Sequence, residues 1–75
     1  MQIILFGQLT DITGNNTIAV NNVADTDELV QALITMYPAM AGTKYVIALD
    51  KKIVQGNTVL SEAANVALMP AFSGG

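Results

Sequence analysis

The chain contains neither cysteine nor histidine among its 75 residues, and this absence limits how it can fold. No disulfide, and no metal site built on cysteine or histidine ligands, can hold the structure together. A domain of this size is near the lower limit at which a hydrophobic core alone sustains a fold. We therefore expect one small domain around a single apolar core. Thiol nucleophiles and imidazole acid–base chemistry are also excluded, so we expect no self-contained active site.

The charge of the chain is low and negative. The net charge is −3, and the only cationic side chains are Lys44, Lys51 and Lys52. This leaves no basic surface for nucleic acid or for an anionic membrane. No basic segment precedes the first apolar residues, and no apolar run approaches the roughly 20 residues of a transmembrane helix. We expect a cytoplasmic protein that binds neither nucleic acid nor membrane and holds no metal or cofactor.

The first third of the sequence predicts two paired strands. Residues 2–9 are rich in Ile, Leu and Phe at both odd and even positions, which is typical of a strand buried on both faces and therefore central in its sheet. Residues 17–20 form a second, shorter apolar run. Residues 13–16, Thr-Gly-Asn-Asn, tolerate positive φ and favour a tight reversal between the strands. These residues predict a hairpin.

Residues 26–37 predict the clearest helix. Asp25 is well placed as its N-cap, with Glu28 as the capping-box partner three residues later. Apolar residues recur at helical spacing from Leu29 onward. Pro38 then disfavours continuation of the helix.

The remaining sequence predicts further strands and turns. We expect a strand over residues 45–49, a turn at 50–52, a short strand at 53–54, a helical turn within 60–64 and a last strand over 65–69. The ββαββ order predicts an α+β, β-grasp (ubiquitin-like) fold, in which a mixed sheet of about five strands packs on one helix. A last strand beside the first would place the following residues at a sheet end.

The chain stops at Gly74-Gly75, shortly after Pro70. Residues 1–69 are expected to form the domain and residues 70–75 a flexible tail. Because glycine has no Cβ, a Gly-Gly end can enter a narrow channel and bring its carboxylate close to a reacting group. Six extended residues reach roughly 20 Å, which is enough to enter another protein's active site. The terminal carboxylate is therefore the candidate reactive group.

With these features, the chain resembles the ubiquitin-like sulfur carriers of the MoaD/ThiS family, most closely the small subunits of molybdopterin synthase. The tail is the specific motif, and the rest is the apolar pattern of the fold. The chain departs from the family pattern in three places, which are Thr10-Asp11, Ala63-Ala64 and Ala71. The resemblance spans nearly the whole chain and is carried by residues 5–9, Gly14, the capped helix leading to Tyr37-Pro38, and residues 66–70 and 72–75.

The resemblance implies that the Gly75 carboxylate is adenylated by a ubiquitin-activating-like adenylyltransferase that uses ATP, and is then converted to a thiocarboxylate. The tail would enter the large subunit of molybdopterin synthase, which supplies the catalytic groups, and sulfur would pass to the pterin precursor of the molybdenum cofactor. Gly74 would give clearance, and Phe72 and Met69 would be apolar anchors on the partner. The arm threaded into the partner would consist of Pro70, Ala71, Phe72 and Ser73.

Other functions remain open. A sulfur carrier of the thiamine pathway shares the fold, the diglycine and the activation chemistry, and another member of this class could deliver sulfur elsewhere or become conjugated to proteins. Pro70 and Phe72 favour the molybdopterin route. A β-grasp interaction module, whose apolar sheet face binds a partner while its tail does no chemistry, is the alternative from a different class. Deletion of Gly75 would abolish the function of a carrier and hardly affect a module.

Overall fold

A single sheet of five strands forms in the computed structural model, which describes residues 1–71. Two α-helices and a short 3₁₀-helix connect the strands within this part of the chain. The elements are β1 (Gln2–Leu5), α1 (Gln8–Thr13), β2 (Thr17–Ala19), α2 (Thr26–Met36), the 3₁₀-helix (Pro38–Gly42), β3 (Tyr45–Leu49), β4 (Lys52–Val54) and β5 (Val66–Pro70).

The sheet has the strand order β2-β1-β5-β3-β4. β1 is antiparallel to β2 and parallel to β5, while β3 is antiparallel to both β5 and β4. As predicted, β1 is an internal strand and β5 lies beside it, although the middle strand of the sheet is β5. The mixed sheet with α2 on one face is the predicted β-grasp fold.

The first strand is shorter than predicted. β1 ends at Leu5, and residues 8–13 form α1 instead of continuing the strand. Gly7 adopts φ 60° and ψ −139°, which turns the chain at this point, and the Thr10 hydroxyl donates to the Gly7 carbonyl at 2.8 Å. Leu9 remains fully buried, but it reaches the core from a helix.

The prediction of a tight hairpin between β1 and β2 is also wrong, although the two strands do pair. The helix α1 lies between them, and Gly14 ends this helix in the left-handed conformation at φ 75°. Its N–H donates to the Thr10 carbonyl at 2.8 Å. The glycine that suggested a hairpin turn is therefore a helix C-cap.

The helix α2 begins as predicted. The Asp25 carboxylate accepts from the Glu28 N–H at 2.9 Å, while the Glu28 carboxylate accepts from the Ala24 N–H at 2.8 Å. Glu28 thus binds the residue before the N-cap, one position away from a standard capping box. Leu29 and Leu33 on this helix are fully buried against the sheet's core residues.

The core lies between α2 and one face of the sheet. Alternate residues of β1 and β5 point into it, so that Ile3, Leu5, Val66 and Leu68 are nearly or completely buried. Because side chains alternate along a strand, their sequence neighbours lie on the opposite face. That opposite face carries the candidate site described below.

The second hairpin forms as predicted except that Lys52, which was expected in the turn, belongs to β4. β3 and β4 are joined by a turn in which Asp50 and Lys51 both have positive φ, at 49° and 72°. Two consecutive residues of this kind match the twist of a two-residue hairpin turn. The Asp50 carboxylate also accepts from the Asn65 N–H at 3.1 Å, which holds this turn to the start of β5.

The segment between β4 and β5 differs from its prediction. Residues 60–64 form no helix; the Ala64 N–H donates to the Ser61 carbonyl at 3.0 Å in a reverse turn. Leu60 is buried, and its N–H donates to the Ala24 carbonyl at 2.9 Å.

In the part of the chain that the structure describes, no helix is long and apolar enough to cross a membrane.

Candidate functional site

The strand β5 carries the chain toward its C-terminus from inside the sheet. It lies between β1 and β3, and its last residue, Pro70, pairs with Tyr45 at the start of β3. Because β1 and β5 are parallel, both strands end at the same edge of the sheet, and the Phe6 N–H donates to the Leu68 carbonyl at 3.1 Å. Gly7, which follows β1, therefore lies beside Pro70.

Pro70 and Ala71 form the root of the C-terminal tail, and both sides of this root are held. On one side, the Ala71 N–H donates to the Lys44 carbonyl at 3.3 Å. On the other side, Gly7 and Gln8 line a shallow pocket together with the two root residues. The residues that follow Ala71 thus start from a defined position at the end of the central strand.

The structure describes three of the predicted site residues, namely Met69 at the end of the expected domain and Pro70 and Ala71 in the expected tail. Met69 and Pro70 belong to β5 and are half-buried, so the sheet extends one residue past the expected domain boundary. Ala71 is exposed. The other predicted site residues, Phe72, Ser73, Gly74 and Gly75, lie outside the described residues.

Met69 lies on the face of the sheet opposite α2. It pairs with Val46, and neither residue belongs to the core cluster of the domain. The surrounding surface, here called the open-face patch, is defined by Ile4, Phe6, Ala48, Ala67 and Met69, which line one concave area. Asp50, Lys51 and Asn65 lie at the edge of this area.

The open-face patch contains large apolar side chains that water reaches. Ile4 is 43% exposed and Phe6 is 48% exposed. Ile53, which is 58% exposed, pairs with Ala48 and continues the apolar surface onto β4. Contiguous exposed apolar surfaces of this kind mark sites of interaction with other proteins. The patch reaches Met69, so it adjoins the tail root.

The sequence interpretation missed Ile4 and Phe6 as surface residues. It treated the first strand as buried on both faces, and the exposed fractions of Ile4 and Phe6 show that prediction to be wrong. The signal available in the sequence was the share of apolar residues and glycine, which exceeds the usual range for soluble domains. That excess indicates surface available for a partner, but it does not identify the residues.

Three of the six acidic side chains make hydrogen bonds that serve the fold. Asp25 and Glu28 cap α2, and Asp50 ties a turn to Asn65, as described above. Within residues 1–71, no three acidic side chains come together in a way that could hold a metal ion.

Beside the tail root, burial raises the pKa of Tyr45 above its usual value of 10.0, because the ionised phenolate would lose solvation there.

Comparisons with known proteins agree with this architecture. Among solved structures, the crystal structure of SAMP1 from Haloferax volcanii has a TM-score of 0.78 and 20% sequence identity, and the alignment covers 99% of this chain and 97% of that one. At this identity the likeness shows the fold alone. No curated protein matches the sequence. The family model described as "ThiS family" matches residues 3–75. The chain therefore belongs to the ThiS family and has the ubiquitin-like fold of its sulfur carriers.

Proposed function

We propose that this chain is a sulfur carrier whose Gly75 carboxylate is converted to a thiocarboxylate. The observation that carries the proposal is the placement of the tail root. Pro70 and Ala71 are held at the end of an internal strand, and four residues ending in Gly-Gly follow them. A rigid domain can in this way present a narrow terminal segment to another protein's active site. Membership of the ThiS family supports the same function.

The proposed chemistry has two steps. An adenylyltransferase joins the Gly75 carboxylate to the AMP part of ATP, and pyrophosphate leaves. Hydrosulfide then attacks the acyl carbon, a C–S bond forms, and AMP departs with one of the original carboxylate oxygens. The activated acyl group is needed because a free carboxylate is a poor electrophile. The partner enzymes supply the catalytic groups and exclude water, so residues 1–71 have only to bind and to orient the tail.

We propose that the open-face patch is where a partner enzyme contacts the domain. Its exposed residues Ile4 and Phe6 adjoin Met69, which is one residue from the tail root. Aromatic and methionine side chains are enriched in the cores of protein interfaces. A partner bound here would sit beside the root and receive the tail directly. In this proposal Phe72 is a second apolar anchor further along the tail.

For the sulfur acceptor, we propose the pterin precursor of the molybdenum cofactor, with the large subunit of molybdopterin synthase as partner. Pro70 and Phe72, which belong to the tail, support this route through the resemblance to molybdopterin synthase small subunits. The family description supports a second candidate, delivery of sulfur to thiazole synthesis in the thiamine pathway. We propose that the protein works in the cytoplasm, because both routes require activation by ATP.

The mass of the intact chain tests the carrier chemistry. The chain is incubated with ATP, sulfide and the host's adenylyltransferase, and a chain lacking Gly75 serves as the control. We expect a mass increase equal to the difference between a sulfur and an oxygen atom, and no increase in the control. An unchanged mass, with an adenylyltransferase shown to be active on another carrier, would refute the proposal and favour a module that acts through its open-face patch alone.

The acceptor is tested by offering the thiocarboxylated chain to each candidate partner separately. If the molybdopterin route is correct, the large subunit of molybdopterin synthase will return the chain to its carboxylate form in the presence of the pterin precursor. Thiazole synthase with its substrates will then leave the thiocarboxylate intact. The reverse pattern would assign the chain to the thiamine route.

A further inference from the structure

Gly7 occupies the position beside Pro70 where a side chain has no room. A Cβ added at Gly7 would lie 2.7 Å from Cγ and 3.2 Å from Cδ of the Pro70 ring, whereas ordinary van der Waals contacts begin at 3.4 Å. The missing Cβ thus lets the ring lie directly against the Gly7 backbone. The positive φ of 60° at Gly7 favours glycine as well.

The Pro70 ring has little freedom to move away from such a Cβ. Pro70 pairs with Tyr45 across the sheet, and the next residue, Ala71, donates its N–H to the Lys44 carbonyl at 3.3 Å. The root is therefore held between the β1–α1 connection and the start of β3. A group added at Gly7 would push the root toward Lys44 and disturb that hydrogen bond.

We propose that Gly7 is a positioning residue for the sulfur-carrying tail. By having no Cβ, it seats the Pro70 ring and so sets the direction in which the tail leaves the sheet. This inference rests on the proposed function, because the direction matters only if the tail must reach a partner's active site. Gly7 acts through Pro70 and does not itself touch the reacting group.

The size of the effect follows from the contact distance. To restore an ordinary contact, the 2.7 Å separation must grow to 3.4 Å, a displacement of 0.7 Å at the root. A misplacement of 1 Å caused by a mutation far from the reacting atoms can reduce a rate about a hundredfold. We therefore expect Gly7→Ala to lower the kcat of thiocarboxylate formation by roughly tenfold. The KM should change little, because the open-face patch is intact.

Gly14 provides a matched control for the backbone strain. It also has positive φ, at 75°, but in the described part of the chain a Cβ added there would meet nothing within 4 Å. Gly14→Ala therefore introduces an alanine at positive φ without pressing on the tail root. Its kcat, corrected for the folded fraction, should equal that of the wild type.

Pro70→Ala separates the steric contact from the strain at Gly7. In a chain carrying Pro70→Ala, the ring atoms that a Cβ at Gly7 would strike are absent, while the strain from positive φ remains. We expect Gly7→Ala to lower kcat roughly tenfold in the wild-type background and less than about twofold in the Pro70→Ala background. An equal loss in both backgrounds would overturn the proposal, because the effect would then be backbone strain alone.

A measurement without any enzyme keeps this inference separate from the proposed function. In NMR spectra of the isolated chain, Gly7→Ala should shift the Ala71 amide resonance and speed its hydrogen exchange, and Gly14→Ala should leave both unchanged. An unaltered Ala71 amide in a folded Gly7→Ala chain would overturn the positioning role. If the amide responds but the wild-type chain is not thiocarboxylated, the proposed function has failed and the steric coupling between Gly7 and Pro70 stands.

Discussion

Ile3 and Ile4 are identical side chains at adjacent positions of β1, but the structure predicts that truncation of Ile3 lowers the stability of the domain far more than truncation of Ile4. Ile3 is 0% exposed and packs in the core, whereas Ile4 is 43% exposed on the open-face patch. Truncation of a fully buried isoleucine to alanine destabilises a protein by about 2–5 kcal/mol, because a cavity remains. For Ile4, only about half of the burial energy of about 2 kcal/mol is at stake, so we expect about 1 kcal/mol.

Urea unfolding of the two variants measures this difference. The unfolding free energies of Ile3→Ala and Ile4→Ala should differ by about 2 kcal/mol, which moves the midpoint by roughly 1–2 M urea for a small domain. Equal losses of stability would refute the assignment of the two residues to opposite faces.

The two variants should rank in the reverse order in their affinity for the adenylyltransferase, with Ile4→Ala more affected than Ile3→Ala. If the partner covers the patch, Ile4→Ala loses contact area and its Kd should rise about fivefold for a loss of about 1 kcal/mol. The Kd of folded Ile3→Ala should match that of the wild type. A Kd of Ile4→Ala equal to that of the wild type would remove the open-face patch from the proposed interface.

Two further predictions concern stability. Asp25→Ala should destabilise the domain by about 1–2 kcal/mol in thermal or urea unfolding, because the α2 N-cap is lost together with the hydrogen bond from Asn57 Nδ2 to Asp25 Oδ2 at 3.2 Å. Asp25→Asn keeps one acceptor oxygen and should lose less, and an equal loss would contradict the capping role. For Tyr45, the folded pKa is raised above 10.0, so the unfolded state releases its proton first as pH rises. The stabilising contribution of the neutral phenol is therefore complete below pH 10 and is lost as pH rises through the folded pKa. The wild type should lose more stability than Tyr45→Phe above pH 10, and parallel pH profiles would show that the Tyr45 pKa is not raised.

The sequence predicted those elements whose signals are local. The start of α2 follows from Asp25 and Glu28, which are close in the chain and bond the backbone around them. The turn at Asp50 and Lys51 was likewise predictable from its position between two apolar runs. The order of these elements, together with the apolar pattern, was enough to predict the β-grasp fold.

The end of β1 was not predictable because it depends on a backbone conformation. Residues 2–9, which are rich in Ile, Leu and Phe, predict one strand, but the turn at Gly7 redirects the chain so that Leu9 enters the core from a helix. The same limit applies to Ile4 and Phe6. The identity of an apolar residue in a strand does not show whether its side chain faces the core or a surface that a partner covers.

The contact between Gly7 and Pro70 depends on non-local structure. It arises from the parallel pairing of β1 with β5, which are the first and last strands within residues 1–71. The tail motif itself was visible from the sequence. The residues that hold its root, Lys44 and Gly7, could be recognised only once the strand order and register were known.

The central claim is that sulfur is carried on the terminal carboxylate, and tandem mass spectrometry of the activated chain tests it most directly. The chain has no cysteine, so added sulfur cannot be mistaken for a modified thiol. After incubation with ATP, sulfide and the adenylyltransferase, fragments within residues 70–75 that contain Gly75 should carry the whole mass increase. These fragments contain no methionine, whose oxidation adds nearly the same mass. Fragments ending before Gly75 should contain no added sulfur. Sulfur or AMP on any other residue, or an unmodified Gly75 fragment with an active enzyme, would contradict the account.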